Sequence, residues 1–215
     1  MKRRTLDILL SAGGMMLAML LLVMGIVLTN NANFAKTYVH DQLGAQKITF
    51  KTAATLTDEE RQAPCLTTYA GQTLTTGKQA ECYANEFIAL HVRTATGDRT
   101  YAELGVPQAA LRTQLADAKA ANATNVADLD KQLADITATR ETAFKGETLR
   151  GLLLTSFGFS EFGRKGGQAA TASYAAAALL ALLSAAGFVH AFRRPADRGF
   201  ALPETARVER HVTTV

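Results

Sequence analysis

Two long apolar stretches dominate the residue pattern, one near each end of the chain. Residues 8–28 contain no charged side chain, and residues 169–192 contain only Tyr174 and His190 as ionisable groups. A helix rises about 1.5 Å per residue, so about 20 residues cross the roughly 30 Å hydrocarbon core of a bilayer. Each stretch is therefore predicted to form a transmembrane helix.

Two other interpretations apply to these stretches. Either could be the buried core helix of a soluble protein, and the alanine-rich second stretch fits this better than the first. The first could also be a cleaved signal peptide. However, its apolar run exceeds the usual signal core of about 7–15 residues, and no Ala-x-Ala site follows it. We expect the first stretch to be retained as an anchor.

The residues between the stretches, 29–168, predict a mostly helical domain. Residues 33–46 place apolar side chains on one helical face, which indicates that the first helix continues beyond the membrane. Residues 48–54 are β-prone and predict a strand or a linker. Capping-box spacings, which begin helices, occur at three positions: Thr57 to Glu60, Thr76 to Gln79 and Thr100 to Glu103.

Further helices are predicted after these capping boxes. The helix that begins at Thr76 is expected to extend through about Thr94, before a turn at Gly97 and Asp98. Residues 108–121 and 126–145 favour helix strongly, and the Asn-rich segment between them favours a turn. These two helices are predicted to form an antiparallel helical hairpin.

The distribution of charge predicts the orientation of the chain. The net charge of +4 belongs to residues 1–29 and 169–215, which carry eight Lys/Arg against four Asp/Glu, whereas the residues between them carry fifteen of each. Basic residues beside a membrane span are retained in the cytoplasm. We therefore predict a cytoplasmic N-terminus (residues 1–7), an extracytoplasmic domain (29–168) and a disordered cytoplasmic tail (193–215).

The only two cysteines, Cys65 and Cys82, both fall in the predicted outer domain. An even number of cysteines in an oxidising compartment indicates a disulfide. Two free thiols or a metal-binding pair are the alternatives.

The most apolar part of the central region comes just before the second stretch, at residues 149–163. Its aromatic side chains are followed by two basic residues, an arrangement that suits the headgroup level of a membrane. One interpretation is a contact surface for lipid or for a partner, and the other is a domain core leading into the second span. The residues concerned are Leu152, Leu153, Leu154, Phe157, Phe159, Phe162, Arg164 and Lys165.

Small residues recur at helical spacing in both apolar stretches. In lipid, such residues let helix backbones approach closely, and packing then drives helix association. The two rows are predicted either to pack on each other within one chain or to bind a partner helix. Their members are Ser11, Gly14, Ala18 and Gly25 in the first stretch, and Ser173, Ala177, Ala181 and Ala185 in the second.

No recognised catalytic motif occurs in the sequence. It lacks a phosphate-binding loop, a dinucleotide fingerprint and the GxSxG, HExxH and CxxC patterns. Of the four histidines, only His40 and His91 fall in the predicted outer domain. His91 on an apolar helix face is typical of a partly buried histidine, and His40 beside Asp41 is typical of a surface pair. The sequence therefore predicts no catalytic residue, no cofactor and no metal site.

Three segments carry a resemblance to a known family: MKRRTLDILLSAGG at the start, TNNANFAKTYVHDQL after the first apolar stretch, and FKGETLRGLLLTSFGF before the second. They resemble a family of uncharacterised actinobacterial two-pass membrane proteins. Some members carry the label "aromatic ring-opening dioxygenase", which would imply a non-haem iron held by two histidines and a carboxylate. The two outer histidines here have no nearby ligand pattern.

Together these features predict a mainly α membrane protein, in which two transmembrane helices flank a mostly helical extracytoplasmic domain with a helical hairpin. The function indicated is that of a non-enzymatic envelope protein, a binding or scaffold subunit of a larger membrane or cell-wall assembly. The expected partners are membrane lipid and either a membrane protein or a second copy. The charge does not indicate nucleic acid, because no basic stripe is interleaved with aromatic residues. A lipid-binding module and an extracytoplasmic enzyme using His40 or His91 are the alternatives.

Overall fold

The computed structural model describes residues 3–193, and these are mostly helical. The predicted tail beyond Arg193 lies outside the described residues. Thr49 lies in the segment predicted as a strand or linker, and it forms an isolated antiparallel bridge with Thr73. The elements in chain order are α1 (Arg3–Ala45), α2 (Asp58–Arg61), α3 (Pro64–Thr68), α4 (Gly77–Cys82), a π-helical segment (Tyr83–Ile88), α5 (Ala89–Thr96), α6 (Tyr101–Ala120) and α7 (Val126–Arg193).

The described residues divide into two compact units. The terminal unit comprises residues 3–31 and 166–193, and the central unit comprises residues 32–165. The two longest helices, α1 and α7, contribute residues to both units.

The terminal unit consists of two helical segments that are long and apolar enough to cross a membrane. Their most apolar windows are only 11% and 17% buried, whereas the core helix of a soluble protein is mostly buried. Large apolar side chains such as Leu10, Met16 and Leu182 are exposed along both segments. This exposed apolar surface is the kind that lipid covers.

Small residues line the contact between the two segments. Ser11, Ala18 and Gly25 are buried at intervals of seven residues. A Cβ atom added at Gly25 would lie 2.5 Å from Cε1 of the Tyr174 ring. On the second segment the buried small residues also follow one another at intervals of seven, namely Ala170, Ala177, Ser184 and Ala191.

The predicted rows of small residues therefore meet within one chain, with a difference in register. Gly14 faces Ser184, and Ser11 faces Gly187. Of the predicted second row, Ala177 is buried, Ser173 and Ala181 are half-buried, and Ala185 is exposed. The predicted second row has one member every four residues, whereas the buried residues recur every seven. A seven-residue repeat keeps the same side of each helix facing its partner along a supercoiled pair.

The core of the central unit is assembled from short helices around the disulfide. All three predicted capping boxes are present, at Thr57, Thr76 and Thr100. Cys65 and Cys82 form the predicted disulfide, with their Cα atoms 6.1 Å apart. The largest buried apolar side chains of this core include Phe50, Leu56, Leu66, Leu74, Ile88, Val92 and Leu153.

The helix predicted from Thr76 to Thr94 is present but interrupted by the π-helical segment. A π turn adds one residue per turn and rotates the side chains that follow it. The rings of Tyr83 and Phe87 stack with centroids 4.7 Å apart, and Phe87 and His91 follow at 4.3 Å. The predicted turn at Gly97 is present, with a left-handed φ of 61°.

Helix α6 and the first part of α7 contact each other with their residues in opposite order. Leu115 and Ala118 of α6 are buried together with Leu129 of α7. Farther from the connecting turn, Gln108 donates a hydrogen bond to Thr137 at 2.8 Å. Helix α6 begins at Tyr101, earlier than the predicted residue 108, because the Thr100 capping box starts it and it continues through Pro107.

Helix α7 is continuous where the sequence suggested separate segments at 126–145, 149–163 and 169–192. Two of the glycines within it lie at close contacts with other parts of the central unit. Gly146 faces Val92, and a Cβ atom at Gly163 would lie 2.7 Å from Cβ of Ala35. Glycine lowers helix propensity, but here the close approach that it permits is used in packing.

Candidate functional site

An apolar groove lies in the central unit between the last part of α1 and the middle of α7. Its volume is about 720 Å³. Three aromatic rings stand along it: Phe34 and Tyr38 stack at 5.7 Å between centroids, and Phe159 meets Tyr38 edge-on at 5.7 Å. The remaining lining residues are Val39, Gln42, Leu43, Gln46, Ile48, Leu149, Leu152, Leu153, Thr155 and Ser156.

The helical repeat positions the walls of this groove. On α1, Val39 and Leu43 are buried in the core, whereas Phe34 and Tyr38 are exposed. On α7, Leu153 is buried in the same core, while Leu149, Leu152 and Phe159 remain exposed. Each helix thus fixes one edge of its apolar face in the core and leaves the other edge open.

The segment predicted as a contact surface is divided between these two environments. Leu152 is 62% exposed and Phe162 is 78% exposed, whereas Leu153 is buried. Leu154 is half-buried against the core. Phe157 is also half-buried, and Lys78 Nζ lies 4.7 Å from the centre of its ring. The segment therefore combines the two interpretations given for it, core and open surface.

The two basic residues that follow this segment are exposed. Arg164 Nη2 donates to Glu161 Oε2 at 2.7 Å. This hydrogen bond lowers the pKa of Glu161 and raises that of Arg164. Arg164 is thus engaged in a surface ion pair within its own helix, and Lys165 is next to it in sequence.

Sequence reasoning did not assign Phe34 and Tyr38 to the site. Both belong to the apolar helical face predicted over residues 33–46, together with Val39 and Leu43. Their spacing of four residues places both rings on one side of a helix, which was the available signal. What the spacing cannot supply is the partner, because Phe159 lies far away in the sequence.

A second cluster surrounds Glu60, whose side chain is only 1% exposed. Lys51 Nζ donates to Glu60 Oε1 at 2.7 Å, and His91 Nε2 lies 3.3 Å from the same oxygen. The backbone N–H of Thr57 donates to Oε2 at 2.7 Å. Burial raises the pKa of Glu60, but the hydrogen bonds from Lys51 and Thr57 outweigh it, so the pKa is below its usual value of 4.5.

Both carboxylate oxygens of Glu60 already accept hydrogen bonds, Oε1 from Lys51 and Oε2 from Thr57. His91 Nδ1 lies 2.7 Å from the carbonyl oxygen of Phe87, which can only accept, so Nδ1 carries a proton. Nearby, burial and the charge of Glu60 raise the pKa of Tyr83. The arrangement is that of a structural ion pair between Lys51 and Glu60, with His91 beside it.

The other histidine of the central unit, His40, lies at the surface. Its Nδ1 atom is 3.1 Å from Oδ1 of Asp41, and both side chains are 63% exposed. Among residues 3–193, no group of three or more His, Cys, Asp and Glu side chains is placed to share a metal ion.

Comparison of the chain with protein-family models, with curated proteins and with solved structures gives no match. The candidate site therefore depends on its own geometry, which is that of an uncharged, aromatic-lined groove in the central unit.

Proposed function

We propose that the chain is a non-enzymatic, membrane-anchored envelope protein that binds an apolar ligand or partner through its groove. The groove is the single observation that carries this proposal. It leaves Phe34, Tyr38, Leu149, Leu152 and Phe159 exposed together along one groove, next to the buried core residues Val39, Leu43 and Leu153. Removing apolar surface from water is favourable by roughly 25 cal/mol per Å², so a ligand that covers these side chains gains binding free energy.

The two exposed apolar segments of the terminal unit support a membrane location. Basic residues at positions 2–4 and 193–194 favour cytoplasmic ends, which would leave the central unit outside. The disulfide also supports an extracytoplasmic location of the central unit, because the extracytoplasmic space is oxidising. The contacts between α6 and the first part of α7 support the hairpin as a feature of this outer domain.

Two roles fit a groove of this kind. In the first, the protein is a binding or scaffold subunit of a larger membrane or cell-wall assembly. In the second, it is a lipid-binding module at the outer membrane face, which the absence of charge from the lining favours. The enzyme alternative has no such support, because Glu60, the carboxylate beside His91, is already paired with Lys51 and with the backbone N–H of Thr57.

Affinity purification of the full-length protein from membranes in mild detergent tests the proposal. The test variant is Leu152→Asn in the groove, and the matched control is Val106→Asn, an exposed apolar residue outside it. We expect wild-type and Val106→Asn proteins to retain a stoichiometric membrane protein or phospholipid that Leu152→Asn loses. Identical recovery from all three proteins would contradict a function for the groove.

A further inference from the structure

We propose that the groove holds one acyl chain of a membrane phospholipid. This inference rests on the proposed function and narrows it to a single ligand class. Three observations support it: the chemistry of the lining, the size of the groove, and the position of its walls in the sequence. Each bears on a different property of the occupant.

The lining chemistry fits a hydrocarbon chain. None of the thirteen lining residues carries a charge. Their polar groups are the hydroxyls of Tyr38, Thr155 and Ser156 and the amides of Gln42 and Gln46. The hydroxyl of Thr155 donates to Gly151 O at 2.9 Å, and that of Ser156 donates to Leu152 O at 3.2 Å, so both are satisfied within α7. A charged ligand would lose its hydration here without gaining a counter-charge.

The size of the groove fits a small, flexible ligand. Its volume of about 720 Å³ falls within the range of about 300–1,000 Å³ for small-molecule clefts. A partner helix about 10 Å in diameter needs a broad complementary face with polar groups at its rim. A second copy would need roughly 800 Å² of surface on each protomer for a stable dimer.

Both walls of the groove are close in sequence to the two apolar stretches that are predicted to cross the membrane. Phe34 follows Leu28, the last residue of the first apolar stretch, by six residues. Phe159 precedes Ala169, the first residue of the second stretch, by ten residues. Both walls are thus connected by short segments to the helices whose exposed apolar surface calls for a bilayer. The groove is therefore continuous in sequence with the lipid-facing part of the chain at both edges.

The experiment uses full-length protein in phospholipid nanodiscs. A phosphatidylglycerol with a photoactivatable diazirine at the end of one acyl chain is the probe, and mass spectrometry locates the cross-links. We expect labelling of groove residues on both α1 and α7. Leu152→Asn and Ser156→Trp, which respectively make the groove polar and fill it, should lower that labelling roughly tenfold. Labelling within residues 8–28 and 169–192 serves as an internal reference and should not change.

Val106→Asn provides the matched control and should leave groove labelling at the wild-type level. An intact Cys65–Cys82 disulfide and unchanged protease resistance establish that each variant is folded. Groove labelling no stronger than that of α6 overturns the proposal, and so does labelling that both groove variants leave unchanged. Cross-links from the groove to a second copy or to a partner protein, without lipid, also overturn it, but such a result leaves the proposed binding function in place.

Discussion

At the scale of single residues, Glu60 connects three parts of the central unit. Its carboxylate caps α2 through Thr57, pairs with Lys51 and contacts His91 of α5. Removing one member of such a buried cluster leaves the others unsatisfied, which costs more than the net gain of forming the bonds.

We expect Glu60→Gln to lower the free energy of unfolding of the central unit by about 1–3 kcal/mol at neutral pH, because Lys51 loses its buried counter-charge. Denaturant unfolding of the full-length protein in detergent, followed by tyrosine fluorescence, measures this. Glu59→Gln is the matched control, since Glu59 is exposed in the same short helix and its change should have little effect. Equal unfolding midpoints for the two variants would show that Glu60 does not stabilise the central unit.

The same residue predicts a pH dependence. Because the pKa of Glu60 is lowered in the folded protein, its contribution to stability is complete above its usual value of 4.5. This contribution is lost as the pH falls through the lower, folded-state value. The difference in unfolding midpoint between wild type and Glu60→Gln should therefore shrink on acidification below pH 4.5. A difference that stays constant through that range would contradict the assignment.

The disulfide between Cys65 and Cys82 is expected to stabilise the central unit. Cys65→Ser and Cys82→Ser should each destabilise the central unit by about 3 kcal/mol, since the bond closes a short loop in the unfolded chain. The double variant should be no worse than either single variant. Denatured, untreated wild-type protein should take up no thiol label, and uptake of two equivalents would exclude the bond.

At the scale of elements, the contact in the terminal unit is set by small residues at intervals of seven. Gly25 accommodates the ring of Tyr174, whose hydroxyl lies 3.0 Å from the hydroxyl of Thr29. In lipid, helix association depends on this close packing because water is not available to drive it. A side chain added on the seam should therefore separate the helices, whereas one added elsewhere should not.

We expect Gly25→Leu to weaken the contact by about 1–3 kcal/mol through overpacking. Gly13→Leu is the control, because nothing lies within 4 Å of a Cβ atom there. Oxidative cross-linking of Ser11→Cys with Gly187→Cys, a pair in direct contact, measures the seam in membranes. Gly25→Leu should reduce the cross-linked fraction and Gly13→Leu should not, and equal fractions would argue against the seam.

At the scale of the whole molecule, the sequence predicts what depends on local pattern. The two apolar stretches, the three capping boxes and the disulfide each have a signal within a few residues or in the cysteine count. The groove has no such signal, because Phe34 and Phe159 are far apart in the sequence and are brought together by the core that contains Val39 and Leu153. The continuity of α7 also lacks a local signal, because Gly146 and Gly163 contact residues that are distant in the sequence.

The charges beside the two apolar stretches predict that both ends of the chain are cytoplasmic and that the central unit is extracytoplasmic. An alkaline phosphatase fusion at Ala54 or Asn122 should be active, because that enzyme requires an oxidising compartment. A green fluorescent protein fusion at Ala206 should be fluorescent in the cytoplasm. Exchanging the two reporters is the control and should silence both signals. A cytoplasmic signal at Asn122 would overturn the orientation, and it would also remove the oxidising environment that the Cys65–Cys82 bond requires.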